Sequence, residues 1–172
     1  QFDPKWFYPD NGTGGELRFE QLTDWTQRPE EAVRYFSGIA TYSTTFESEL
    51  KDTKSRVFLD LGVVKNVARV RLNGRDLGVV WTAPWHVEIG GALEAGANRL
   101  EIDVANLWPN RLIGDATLPI EKRHTATNVR TYDTMASGTY GCMKCAERKK
   151  SGKAAELLSS GLLGPVRVMV ED

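Results

Sequence analysis

The sequence predicts an all-β sandwich of the jelly-roll type, with long loops and little helix. Three observations predict it. Short runs in which apolar and polar residues alternate recur along most of the chain, with the period of a half-buried strand. Turn formers separate nearly all of these runs, and such spacing of short strands marks antiparallel sandwiches and barrels. Finally, Val70-Arg71-Leu72-Asn73-Gly74-Arg75-Asp76-Leu77-Gly78-Val79-Val80 sets Asn-Gly between two runs. Asn-Gly supplies the two positive-φ positions of a type I′ turn, so the flanks should pair as a hairpin.

The elements follow in order. Residues up to about 35 read mainly as loop, because Trp6-Phe7-Tyr8-Pro9 and Asp10-Asn11-Gly12-Thr13-Gly14-Gly15 are dense in aromatics and turn formers. Within them, 17–22 alternates as a short strand, and Thr23-Asp24-Trp25 with Pro29-Glu30-Glu31 starts a helical turn ending near Tyr35. A strand is expected over 39–47, where β-branched and aromatic residues alternate with polar ones. Further strands are expected at 56–61, 67–72, 77–81, 85–89, 99–104 and 166–170. Leu100, Ile102 and Val104 put the apolar side of their strand on one face. From 113 to 163 a long irregular excursion is expected, with Pro119, scattered glycines and the basic run Arg148-Lys149-Lys150-Ser151-Gly152-Lys153.

Composition narrows the function classes. With 172 residues, 41% hydrophobic and 26% charged, the chain suits one folded domain or two small ones. Its 22 Lys+Arg against 23 Asp+Glu leave a net charge of −1, so no global field recruits nucleic acid or anionic lipid. No apolar run approaches the roughly 18 residues of a membrane span. Neither nucleic acid nor membrane is expected as a partner. The two cysteines, Cys142 and Cys145, make half a zinc site at best and read as free or locally bridged thiols.

Catalytic patterns are sparse. Asp115, Glu121 and Asp133 lie in the irregular region and could in principle form the opposed carboxyl pair of a glycosidase. Nothing in their spacing forces this, and solvated loop acids are the preferred reading. His86 and His124 fall in no metal-ligand pattern. No strand-to-helix nucleophile elbow or phosphate-binding loop occurs. Asp10-Asn11-Gly12 offers oxygen donors for Ca²⁺ but lacks the alternating acids of a calcium loop, so a plain turn is favoured and no cofactor is expected.

The aromatics are better candidates. Trp81, Trp85 and Trp108 lie at expected strand ends or loops, where an indole can stack on a sugar ring. Asn106-Leu107-Trp108-Pro109-Asn110-Arg111 adds two carboxamides and a guanidinium to one indole, the groups that bond hydroxyls. Asn106, Trp108, Asn110 and Arg111, with Trp81 and Trp85, are therefore the candidate glycan-binding residues. The alternative is that Trp108 caps a sheet edge while Asn106 and Arg111 satisfy loop carbonyls.

The motif order supports a family assignment. Val67-Ala68-Arg69-Val70-Arg71-Leu72-Asn73-Gly74, then Ala83-Pro84-Trp85-His86-Val87-Glu88-Ile89, then Gly96-Ala97-Asn98 leading to Asn106, resembles the sugar-binding, galactose-binding-like jelly-roll domain of family-two glycoside hydrolases. Arg34-Tyr35-Phe36-Ser37-Gly38, Asn106-Leu107-Trp108-Pro109-Asn110-Arg111-Leu112-Ile113-Gly114-Asp115 and Ser160-Gly161-Leu162-Leu163-Gly164-Pro165-Val166 are similar to the version near the C-terminus of bacterial alpha-L-rhamnosidases. Two stretches depart from it: Gly90-Gly91, where an Asp/Thr pair often stands, and 142–153, which matches nothing in the pattern.

The resemblance implies one β-sandwich domain over 1–172, truncated in its first strand at Gln1-Phe2-Asp3-Pro4. It also implies a fragment of a larger enzyme whose catalytic residues sit in another domain, so no hydrolase activity is expected from this chain alone. The implied partners are that catalytic domain and a plant or bacterial glycan. The implied location is periplasmic or extracellular. A purely architectural domain without ligand is the second reading, and a small self-sufficient glycosidase the third.

Overall fold

The computed structural model describes residues 5–8, 15–19, 21–49, 56–125 and 156–171. It is built of two compact units. The first comprises Gln1–Asp24, Gly38–Asn106 and Ser160–Asp172, and the second Trp25–Ser37 and Leu107–Ser159.

The first unit is the β-sandwich. Its strands are β1 (Lys5–Tyr8), β2 (Gly15–Arg18), β3 (Ile39–Ser48), β4 (Arg56–Asp60), β5 (Val63–Lys65), β6 (Val67–Leu72), β7 (Arg75–Val80), β8 (His86–Glu88), β9 (Gly96–Ala105), β10 (Gly161–Gly164) and β11 (Arg167–Glu171). They form a six-stranded sheet in the order β2-β1-β3-β9-β6-β7, a three-stranded sheet β11-β4-β8 and the pair β10-β5. Every pairing between these strands is antiparallel.

Alternation explains the core. Ala40 and Tyr42 of β3, Ala68, Val70 and Leu72 of β6, and Leu100, Ile102 and Val104 of β9 are all buried, as are Val57, Leu59 and Val87 from the three-stranded sheet. Each fully buried aliphatic side chain contributes roughly 1.5–3 kcal/mol of transfer free energy. Phe19 meets Tyr42 edge-on with ring centroids 5.9 Å apart. The opposite face of the large sheet is polar, with Arg71 bonding Asp103 and Glu101 across β6 and β9.

The Asn-Gly hairpin forms as the residues dictate. Asn73 (φ 52°) and Gly74 (φ 78°) join β6 to β7, with Leu72 paired to Arg75. β2 spans Gly15–Arg18 where the alternation predicts 17–22, and three further strands depart from the sequence expectation. β1 falls in the segment read as loop, because its Trp-Phe-Tyr run lacks alternation and it is fixed by a distant partner, pairing Trp6 with Tyr42. β5 and β10 are too short for a period to show, and they pair with each other across almost a hundred residues.

The second unit holds the helices. A 3₁₀ turn at Trp25–Gln27 precedes α1 (Glu31–Arg34), and α2 (Pro109–Ala116) precedes a 3₁₀ turn at Ile120–Lys122. Trp25 and Val33 are buried here, and Trp25 meets Phe36 edge-on at 5.5 Å. The expected excursion over 113–163 therefore opens inside a helix and closes inside β10. Its part from 126 to 155, with Asp133, Cys142, Cys145 and the basic run, lies outside the described residues, as do Gln1-Phe2-Asp3-Pro4 and Asp10-Asn11-Gly12.

Candidate functional site

The candidate residues divide by what holds them. Asn106 follows β9 in the first unit, where its backbone N–H donates to Gly38 O at 3.2 Å. Its side-chain Oδ1 accepts from Gly38 N at 3.0 Å. One asparagine thereby extends the β3–β9 ladder by a rung made partly of side chain.

In the second unit, α2 positions the others. Pro109 occupies its first turn, where a missing N–H costs nothing and a fixed φ favours the helix. Asn110 is 2% exposed. Its Nδ2 donates to Leu158 O at 2.6 Å and its Oδ1 accepts from Leu158 N at 2.7 Å. A carboxamide bonded this way imitates a backbone rung and clamps a segment far away in sequence.

Arg111 lies one helical turn before Asp115, with Nη2 2.7 Å from Oδ1. Its guanidinium also lies 6.0 Å from the centroid of the Tyr35 ring, the reach of a cation–π contact. Asp115 is 2% exposed, and its Oδ2 accepts from Thr125 Oγ1 at 2.6 Å, Thr125 N at 2.7 Å and His124 N at 3.1 Å. A buried carboxylate is tolerable only when paired and hydrogen-bonded in this manner. Gly114 is required between them, because a Cβ there would lie 2.6 Å from Tyr35 Cγ. Within this unit Ser37 Oγ donates to Leu107 O at 2.8 Å.

The motifs at 34–37 and 107–115 are thus internally bonded within the second unit. Leu158, Tyr35 and Thr125 complete these contacts and were not among the candidates. Only Tyr35 stood in a singled-out motif, and nothing local in the sequence marks the other two.

The indoles behave differently. Trp108 precedes α2 and is 66% exposed, and Trp81, at the end of β7, is 73% exposed. Leu107 and Leu158 are exposed in the same unit as Trp108. Trp85 is half-buried, and its backbone oxygen accepts from Leu61 N at 2.9 Å. Of the three loop acids, Asp115 is buried and bonded, Glu121 is exposed, and Asp133 lies outside the described residues.

Comparison with known proteins matches this arrangement to a family. Residues 22–137 match the glycosyl hydrolase 2 galactose-binding domain-like model. A putative beta-glucuronidase of Formosa agariphila is 39% identical over 173 residues, covering 95% of this chain and 15% of that protein. The structure of a rhamnosidase from Novosphingobium sp. PP1Y superposes with a TM-score of 0.75 at 38% identity, over 98% of this chain and 14% of that one. A beta-glucuronidase of Ruminococcus gnavus shares the fold alone, at 14% identity and a TM-score of 0.51 over 60% of this chain and 20% of that one. The chain therefore spans about one seventh of the two relatives that it matches end to end. On the matched residues and the sandwich they form, the chain belongs to the glycosyl hydrolase 2 galactose-binding domain-like family.

Proposed function

We propose that this chain is a non-catalytic β-sandwich module of a rhamnosidase-like glycoside hydrolase, and that it braces a catalytic domain carried elsewhere in the parent enzyme. The observation that carries the reading is the end-to-end match to only 14% of the Novosphingobium rhamnosidase. Most of that enzyme lies outside the matching region. Two features support it. Asp115, which would be one half of a catalytic acid pair, spends its carboxylate on Arg111, His124 and Thr125. The module is also about equally identical to proteins named for two different sugars, at 38% and 39%, which fits a shared scaffold better than a determinant of sugar choice. The proposed location is periplasmic or extracellular, where polysaccharide is degraded.

Glycan contact is the second reading, favoured by the exposed indoles of Trp81 and Trp108. The carboxamides and guanidinium expected beside Trp108 are engaged in the fold, which leaves the indole to act by stacking. The test is activity on an aryl rhamnoside. This chain alone should release no product, and the intact parent enzyme should lose activity or thermal stability when the module is deleted. Product released by the isolated chain and abolished by Asp115→Asn would overturn the proposal. Substituting Trp108 with alanine in the parent enzyme separates the two readings. Glycan affinity weakened by about 1 kcal/mol supports stacking, and unchanged affinity with the fold intact supports an architectural role.

A further inference from the structure

We propose that Asn73 is a latent modification site, a carboxamide poised before glycine to lose ammonia and held from doing so by a clamp of neighbouring hydrogen bonds. Asn73-Gly74 is the turn between β6 and β7. In chains free to move, the nitrogen of a glycine following asparagine attacks the side-chain carbonyl carbon readily, because glycine offers no steric cover. Here the Gly74 nitrogen would attack Asn73 Cγ, the Cγ–Nδ2 bond would break, and the glycine N–H proton would leave with that nitrogen as ammonia. The resulting succinimide takes up one water and opens to aspartate or isoaspartate. One water is consumed, one ammonia is released, and nothing is oxidised or reduced.

The fold opposes the attack at every polar atom of the side chain. Nδ2 donates to Ala92 O at 3.0 Å and to Asn98 Oδ1 at 2.9 Å, while Oδ1 accepts from Arg99 N at 2.8 Å. Asn98 is itself fully buried. It donates to Glu94 O and Gly96 O at 2.7 and 2.8 Å and accepts from Glu94 N at 2.8 Å. Bringing Cγ onto the Gly74 nitrogen requires the three Asn73 bonds to break together, which couples reaction to opening of the 73–98 clamp. The product cannot restore the turn. A carboxylate has no N–H to give, so its oxygens would face those of Ala92 and Asn98. Isoaspartate would also add a backbone carbon to a turn that needs φ of 52° and 78°. Loss of ammonia at Asn73 therefore acts as a one-way record of local opening at this end of the six-stranded sheet.

The test is to incubate the chain in mildly alkaline buffer, with and without urea beyond its unfolding midpoint, and to follow Asn73 by peptide mass mapping. Asn11, also followed by glycine, reports the intrinsic chemistry in the urea sample. Asn73 should convert at least about tenfold more slowly in native buffer than in urea, the protection that a modest opening free energy provides. Urea below the midpoint should raise the native rate before global unfolding begins. Asn98→Ser, or the wild type in that sub-midpoint urea if the variant does not fold, should lose most of the protection. Equal rates in native buffer and urea, or full protection in a folded Asn98→Ser protein, would overturn the proposal.

Discussion

Replacing Gly114 with alanine tests the packing that ties α2 to the segment before β3. In an open helix the change should stabilise by up to about 1 kcal/mol, because alanine has the higher helix propensity. Here the new methyl would lie 2.6 Å from Tyr35 Cγ, 2.8 Å from Cβ and 2.9 Å from Cδ1, against about 3.5–4.0 Å for carbons in comfortable contact. The crowded atoms include Tyr35 Cβ, one bond from the main chain, so rotating the ring does not relieve them. Overpacking costs about 1–3 kcal/mol, contacts this short belong in the upper part of that range, and less a propensity gain of about 1 kcal/mol the expected net loss is about 1–2 kcal/mol. Urea unfolding followed by tryptophan fluorescence reads this, because Trp25 is buried in the same unit. In a Tyr35→Gly background all three crowding atoms are absent, and the same substitution should become neutral or stabilising. A Gly114→Ala protein as stable as the parent would refute the claim that ring contact, and not backbone freedom, places glycine there.

Three further outcomes follow. Burial raises the Asp103 carboxyl, but bonds from Arg71 and Thr41 outweigh it and hold the group below the ordinary carboxylate range. The stabilisation is then complete above that range and is lost as pH falls through the lowered folded value, so Asp103→Asn should flatten the acid limb of stability against pH. An unchanged slope would count against this pair. In Tyr42→Phe the buried Leu162 N–H, now 3.2 Å from the hydroxyl oxygen, loses that acceptor at a cost of about 1–3 kcal/mol, to be checked by thermal unfolding. Asn110→Ala should cost about 2 kcal/mol by removing both side-chain bonds to the Leu158 backbone, whereas Trp108→Ala should stay within about 0.5 kcal/mol at its exposed site. Denaturant midpoints of both variants showing the reverse order would mean that their roles have been exchanged.

Much of the sandwich was legible because its signals are local. The Asn-Gly turn fixes its own backbone, and alternation through 99–104 chooses a buried face without reference to other strands. β1, β5 and β10 were not legible, because a strand of four residues or fewer has no period to read, and each is fixed by pairing with a partner distant in sequence. α2 left one clue, Pro109 at its start, with too few turns for an apolar stripe to emerge. The candidate site was legible as a set of motifs but not as a set of roles. A carboxamide beside a tryptophan suits sugar hydroxyls and backbone rungs equally well, and the sequence does not say which it will meet.

From the order of residues alone came the sheet-forming pattern, the hairpin and the family to which the chain belongs. Only the tertiary structure decided that Asn106, Asn110, Arg111 and Asp115 are engaged in the fold while Trp81 and Trp108 remain exposed. The reason is that burial and hydrogen-bond partnership depend on contacts between residues remote in sequence. Leu158 meets Asn110 and Tyr35 meets Gly114 only once the chain has closed upon itself.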